Sequence, residues 1–249
     1  MEPTLVFNHI PKCYGTSIKK YFRKFMTPIA DYHAIFPDPP RFNEFPYDPS
    51  LFGAEDLLVG HFNRPGARLP ERYPEVISNP RFHLFTFLRE PLDMQISMYY
   101  YTLKKKKHIA EQNPVRFENL EGYLRKTYNA MAAALPCDES NYREVLSRYF
   151  FVGVTEKVAT SMKVLIDRIS KIYEEAEPTR GVLRMRRCLA VVRDVGLPHE
   201  NKTNRDDQAS KISAETLEIF KSRNALDYKL YEYALEQLEA ATATAPATT

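Results

Sequence analysis

The chain has 249 residues, a length that suits one large domain with a buried core. Hydrophobic residues make up 44% and charged residues 27%, a globular balance, and no stretch approaches the roughly 20 apolar residues of a membrane span. A net charge of +3 is too small to imply a nucleic-acid partner, but it is compatible with an anionic ligand held locally.

Met1 leads directly into the strand-like Leu5-Val6-Phe7, with neither the basic region nor the cleavage site of a signal peptide. The three cysteines, Cys13, Cys137 and Cys188, are odd in number and lack metal-like spacing. Together these features predict a cytoplasmic protein, or one parted from an anchor.

Residues 4–10 read as a buried strand, followed by a loop and a helix from about Ser17. On that helix Ile18, Tyr21, Phe22 and Phe25 recur at the spacing of one face. Residues 28–52 are rich in proline and aromatics and show no period, so they read as a long ordered loop. Leu57-Leu58-Val59 is a short apolar run ending at Gly60-His61. Leu84 to Leu88 predicts another strand, broken by Arg89-Glu90-Pro91. Pro91 suits the first turn of a helix whose face carries Leu92, Ile96, Tyr99, Tyr100 and Leu103. Residues 105–148 read as a partly helical insertion. Phe150 to Val154 predicts a further strand, and Thr155 is placed to cap the helix behind it, with Val158, Met162, Leu165, Ile166 and Ile169 on one face. More helix is expected over 213–239. Residues 1–239 therefore read as a single domain, and the Ala/Thr/Pro-rich 240–249 as a disordered tail or a linker to a larger synthase. Strands alternating with helices predict an α/β fold with a central, mainly parallel sheet flanked by helices.

Two segments carry chemistry. His9-Ile10-Pro11-Lys12-Cys13-Tyr14-Gly15-Thr16-Ser17 lies between a buried strand and an amphipathic helix. Free backbone N–H groups and the positive end of a helix dipole meet there, which favours an anion. Gly15 lets the backbone turn and approach closely, Thr16 and Ser17 can cap or donate, and Lys12 adds a cation. The lysine precedes the glycine, so this is not a Walker A loop. In the second segment Arg89 closes a strand and Ser97 follows on the next helix. Ligands gather at the carboxyl ends of parallel strands, so Arg89 and Lys12 fall on one sheet edge. Arginine grips phosphate with a bidentate fork. Taken singly, each segment also reads as structure: a strand-to-helix turn with a surface lysine, and an arginine that caps a carbonyl or pairs with Glu90.

These residues resemble the PAPS-dependent sulfotransferases, enzymes that use 3′-phosphoadenosine 5′-phosphosulfate. His9-Ile10-Pro11-Lys12 through Gly15-Thr16-Ser17 is similar to their 5′-phosphosulfate loop, in the style of heparan sulfate 2-O-like carbohydrate sulfotransferases. Phe85-Thr86-Phe87-Leu88-Arg89-Glu90-Pro91, with Ser97 and Tyr99-Tyr100-Tyr101, is similar to the 3′-phosphate motif. Phe151-Val152-Gly153-Val154-Thr155-Glu156 resembles a family strand–helix junction, and Asn201-Lys202-Thr203 a later cofactor-contacting segment. Cys13-Tyr14 stands where Thr-Gly or Thr-Ala is more usual, and the absence of tryptophan leaves adenine stacking to Phe, Tyr or an apolar side chain.

The resemblance implies a P-loop-like fold and in-line transfer of a sulfuryl group from PAPS to the hydroxyl of a carbohydrate or small molecule, leaving PAP. Lys12 would meet the leaving phosphate. The loop Lys12, Cys13, Tyr14, Gly15, Thr16 and Ser17 would hold the 5′ side, Arg89 and Ser97 the 3′-phosphate, and Lys202 and Thr203 would add contacts. The scheme requires no metal, and no ligand cluster for one is apparent. Of the six histidines, His61 matches a Gly-His motif that carries the base in related enzymes, and it is expected at a strand's carboxyl end. The bland reading of His61 is a histidine bonded to backbone. His33 and Glu55 are reserve residues on the acceptor side, and His9 reads as structural. Lys104 to Lys107 is a solvated face or an attractor of an acidic acceptor. Asn201-Lys202-Thr203 is formally a glycosylation sequon over a cofactor contact, which again favours the cytoplasm. A P-loop nucleotide kinase and a non-catalytic nucleotide-binding domain of the same fold remain the alternatives.

Overall fold

The computed structural model describes residues 2–31, 45–105, 111, 119–192 and 212–243. Five strands, β1 (Thr4–Asn8), β2 (Thr27–Ala30), β3 (Asp56–Gly60), β4 (Phe82–Leu88) and β5 (Phe151–Val154), form one sheet in the order β2-β3-β1-β4-β5. Every pairing is parallel. Helices α1 (Gly15–Phe22), α2 (Leu69–Arg72), α3 (Pro74–Ser78) and α4 (Pro91–Lys105) belong to the first half of the chain. The second half contributes α5 (Leu120–Leu124), α6 (Ala130–Ala134), α7 (Tyr142–Ser147), α8 (Val158–Glu175), α9 (Arg180–Val192), α10 (Ala214–Arg223) and α11 (Ala225–Ala243).

The inner strands are near-continuous apolar runs because parallel sheets are covered on both faces. Leu5, Val6, Phe7, Leu57, Leu58, Val59, Phe85 and Leu88 are buried in the main core. Each such side chain contributes about 1.5–3 kcal/mol by leaving water. The apolar face expected on α1 is buried there too, through Ile18, Tyr21, Phe22 and Phe25. The α4 face does something different. Ile96 and Tyr99 join Tyr123, Leu124, Ile212 and Phe220 in a second cluster, so this face of α4 packs with α5 and α10, while Met94 on the same helix enters the main core.

The structure corrects several expected boundaries. β1 ends at Asn8, since the Ile10 amide turns back onto the Asn8 carbonyl at 3.2 Å. Helix α1 begins at Gly15, ahead of Ser17. Residues 28–52 are not all loop, because β2 pairs with β3 along the sheet's edge. Thr27 and Asp31 donate toward β3, to the Glu55 and Val59 carbonyls at 2.9 and 2.8 Å, so alternation turns Pro28 toward the open edge, where a missing N–H costs nothing. Thr155 does not cap α8: its hydroxyl bonds Glu156 at 3.1 Å, and Ser161 Oγ closes the junction by accepting from the Val154 amide at 3.0 Å. Helix α9 was not expected from the sequence. Its Arg186 donates to the Tyr173, Glu174 and Ala176 carbonyls at 2.7, 3.0 and 2.8 Å and so satisfies the end of α8. Helix α11 runs through Ala243, past the expected start of the tail. Among the described residues, no helix is long and apolar enough to cross a membrane.

Candidate active site at the carboxyl edge of the sheet

The parallel strands bring Asp31, His61, the loop 9–14, Arg89 and Glu156 to one edge, in that order across the sheet. The loop after β1 is built by two residues in the left-handed region, Lys12 at φ 67° and Tyr14 at φ 65°. Non-glycine residues hold that conformation at a cost of about 1–3 kcal/mol, which the surrounding structure must supply. Such turns aim successive amides inward, as in anion-binding nests. Tyr14 is also the N-cap of α1, and its side chain makes no capping hydrogen bond. Its carbonyl takes the Ser17 and Ile18 amides at 3.1 and 3.3 Å, and the first helical N–H groups, of Gly15 and Thr16, stand at the positive end of the dipole.

The structure shows a need for Gly15 other than a backbone turn. Its backbone is not in the left-handed region; a Cβ there would lie 1.8 Å from His9 Cδ2 and 2.0 Å from His9 Nε2. The buried His9 ring fills that space, stacked on Phe7 at 5.4 Å and 4.2 Å from the His61 ring. Burial, and then the neighbouring His61, hold His9 well below its ordinary pKa, so it is a neutral spacer.

Arg89 is buried and donates from Nη1 to the Lys12 carbonyl at 3.0 Å. Its Nη2 faces Asp93 at 3.8 Å, so its acidic neighbour is Asp93 in place of Glu90. The structural reading of Arg89 is therefore met: it clamps the loop after β1 to the start of α4. A guanidinium has five donors, of which the Lys12 carbonyl takes one, and Asp93 at 3.8 Å is an ion pair beyond hydrogen-bond reach. Lys12 is half-buried, and burial together with the adjacent Arg89 lowers its pKa. Its Nζ lies 4.3 Å from the centroid of the Tyr101 ring. Ser97 sits half-buried on α4, one turn before Tyr101.

His61 follows β3 directly, and its Nδ1 lies 2.6 Å from the His9 carbonyl oxygen. A carbonyl can only accept, so a neutral His61 carries its proton on Nδ1 and its lone pair on Nε2. Beyond it, Asp31 is buried and gripped bidentately by Arg72, at 2.6 Å from Nε and 3.0 Å from Nη2, and bonded by the Tyr73 hydroxyl. Tyr73 packs edge-on against Phe62, the residue after His61. This network braces the β2–β3 end of the edge, beside His61, and nothing in the sequence links Asp31 to Arg72.

Some expected site residues are placed elsewhere. Cys13 is in the core, its thiol pushed far up by burial and its amide bonded to the Ile10 carbonyl at 3.3 Å, so its side chain does not face the loop's mouth. Glu55 precedes β3 at the amino edge of the sheet and pairs with Arg184. The whole of β3 separates it from His61, six residues or about 20 Å at 3.3 Å per residue, so it stands at the opposite edge of the sheet from His61. Ser17 is buried, while Thr16 is exposed at the helix start. His33, Lys202, Thr203 and the Asn201 sequon lie outside the described residues, as do Lys106 and Lys107 of the lysine run. Tyr101 was read only as part of a motif; its spacing of four from Ser97 is the signal that puts both on one helix face.

The strand–loop–helix turn bearing Lys12, the buried Arg89 and the His61 imidazole thus stand together on one edge of a parallel sheet. The chain belongs to the sulfotransferase family, whose model matches residues 2–234. That membership sets aside the kinase reading. Among curated proteins, nothing matches the chain. Among solved structures, the chain is similar to a sulfotransferase from Alicyclobacillus acidocaldarius at 14% identity, covering 97% of this chain and 99% of that one with a TM-score of 0.45. It is also similar to the mouse sulfotransferase SULT7A1 complexed with PAP, at 12% identity over 94% and 90% of the two chains with a TM-score of 0.48.

Proposed function

We propose that the chain transfers a sulfuryl group from PAPS to an acceptor hydroxyl on a carbohydrate or small-molecule alcohol, with His61 as general base. The observation that carries this reading is the His61 Nδ1 contact with the His9 carbonyl, which assigns the lone pair to Nε2 beside the loop that bears Lys12. The N-terminus of α1 and the two left-handed residues fit an anionic group, and the remaining Arg89 donors with Ser97 fit a second phosphate.

PAPS supplies an activated sulfuryl group. The acceptor oxygen bonds to sulfur as the bond from sulfur to the phosphate oxygen breaks, the electron pair leaves with PAP, and the acceptor proton passes to His61 Nε2. Lys12 meets the charge that grows on the leaving oxygen, and the Gly15 and Thr16 amides hold the 5′ side. Three unpaired cysteines support a reducing, cytoplasmic setting. The reading is tested with radiolabelled PAPS on a panel of sugar and phenolic acceptors. His61→Ala should lower kcat by about 10²–10⁴ and leave the Kd for PAP unchanged. Near-wild-type turnover of that variant refutes the base, and failure of the wild type to label any acceptor refutes the transferase.

A further inference from the structure

The contact between Lys12 and Tyr101 links the two halves of the site. Lys12 comes from the loop after β1, where its left-handed backbone fixes the direction in which the side chain leaves. Tyr101 comes from α4, on the face that carries Ser97. Its neighbour Tyr99 is buried in the α4–α5–α10 cluster, whereas Tyr101 is 38% exposed and spends its ring on Lys12 Nζ, 4.3 Å from the centroid. The same ammonium is close enough to Arg89 to feel its charge. A long, flexible lysine stem next to an arginine is driven toward open water by repulsion. The negative face of an aromatic ring opposes that drift.

We propose that Tyr101 is a positioning residue, whose ring holds the Lys12 ammonium between the β1 loop and Arg89 before the nucleotide arrives. The ring does the holding, so the hydroxyl is dispensable. The role at catalysis rests on the reading of Lys12 as the group that meets the leaving phosphate. The contact itself does not rest on that reading.

Two measurements test the proposal. Reductive methylation with isotope-labelled formaldehyde places NMR-visible methyls on Lys12 Nζ and keeps its charge. Without any nucleotide, those methyls should be shifted upfield by the ring in the wild type and in Tyr101→Phe, and should return to the ordinary lysine position in Tyr101→Leu. The second measurement is turnover of PAPS to PAP and sulfate with water in place of the acceptor. Tyr101→Leu should lose about five-fold, the size of a partly desolvated cation–π contact, and Tyr101→Phe should lose less than about two-fold. In a Lys12→Met background Tyr101→Leu should cost nothing more, because the ring acts only through the lysine. Unshifted methyls in the wild type overturn the proposal, as does an equal loss in both backgrounds, which would mean that Tyr101 acts without the lysine. A ring-shifted signal in a wild type that turns over no PAPS upholds the contact and sinks the transferase reading.

Discussion

Gly15→Ala offers a sharp test of how the site is held. The added Cβ would lie 1.8 Å from His9 Cδ2, 2.0 Å from Nε2 and 2.6 Å from Cγ, so the clash is with the body of the ring and not only its tip. The ring cannot swing aside cheaply, because Phe7 and His61 flank it. Overpacking of this kind costs about 1–3 kcal/mol. At about 2–4 °C per kcal/mol for a chain of this length, Tm should fall by several degrees. The backbone at Gly15 is ordinary, so alanine's better helix propensity, worth up to about 1 kcal/mol, is masked only by the clash. In a His9→Ala background the same substitution should therefore be neutral or stabilising. Urea unfolding of the four proteins of this cycle measures the change of sign. A Gly15→Ala variant with the wild-type midpoint, or an equal loss in both backgrounds, would refute the steric account.

Other outcomes follow from burial and charge. Asp227 on α11 accepts the Met131 and Ala132 amides at 3.0 and 2.9 Å, yet burial pushes its pKa from the ordinary 3.8 up to about 6. The folded chain therefore holds the extra proton, so the stability from this group is full below about pH 3.8 and lost as pH rises through about 6. Asp227→Asn should flatten that part of the urea-midpoint profile, by at most about 3 kcal/mol, and an unaltered profile would count against it. Arg72→Met strands the buried Asp31 and should cost about 3–5 kcal/mol in urea unfolding, with Asp31→Leu added to it restoring much of the loss. A marginal effect of the single substitution would show that Asp31 finds another partner. Glu55→Ala should leave PAPS turnover unchanged and shift stability by less than about 1 kcal/mol, since its pair with Arg184 is partly solvated; a fall in kcat would return Glu55 to the acceptor side.

The elements legible in the sequence are those whose own residues carry the signal. β1, β3, β4 and β5 are apolar runs, and α1, α4 and α8 show the helical period. β2 was hidden because an edge strand half in water needs neither a run nor alternation, and Pro28 argues against it unless the open edge is known. Helix α9 was hidden by its arginines, although Val182, Met185, Leu189 and Val192 keep a buried stripe beneath them. Within the candidate site, the sequence singles out Lys12, Arg89 and His61 but not what holds each of them. The His9 carbonyl on His61, the Lys12 carbonyl on Arg89 and the Tyr101 ring on Lys12 join residues brought together only by the sheet. Gly15 shows the difference plainly, since a glycine at the start of a helix reads as a turn that admits an anion, and only the packed His9 ring shows that a side chain there has no room.

The position of β1 has a consequence for how the chain acquires its shape. Leu5 is in register with Leu57 on one side and His83 on the other, and every pairing in the sheet is parallel. None of these ladders is a hairpin, so each needs a crossover to close, and such wiring makes for slow folding. β1 lies between β3 and β4, so the loop that bears Lys12 is framed on both sides only where both ladders are made. An anion that binds that loop meets the finished sheet alone, so it would act as a ligand of folding, drawing slow-folding chains toward the completed state by mass action.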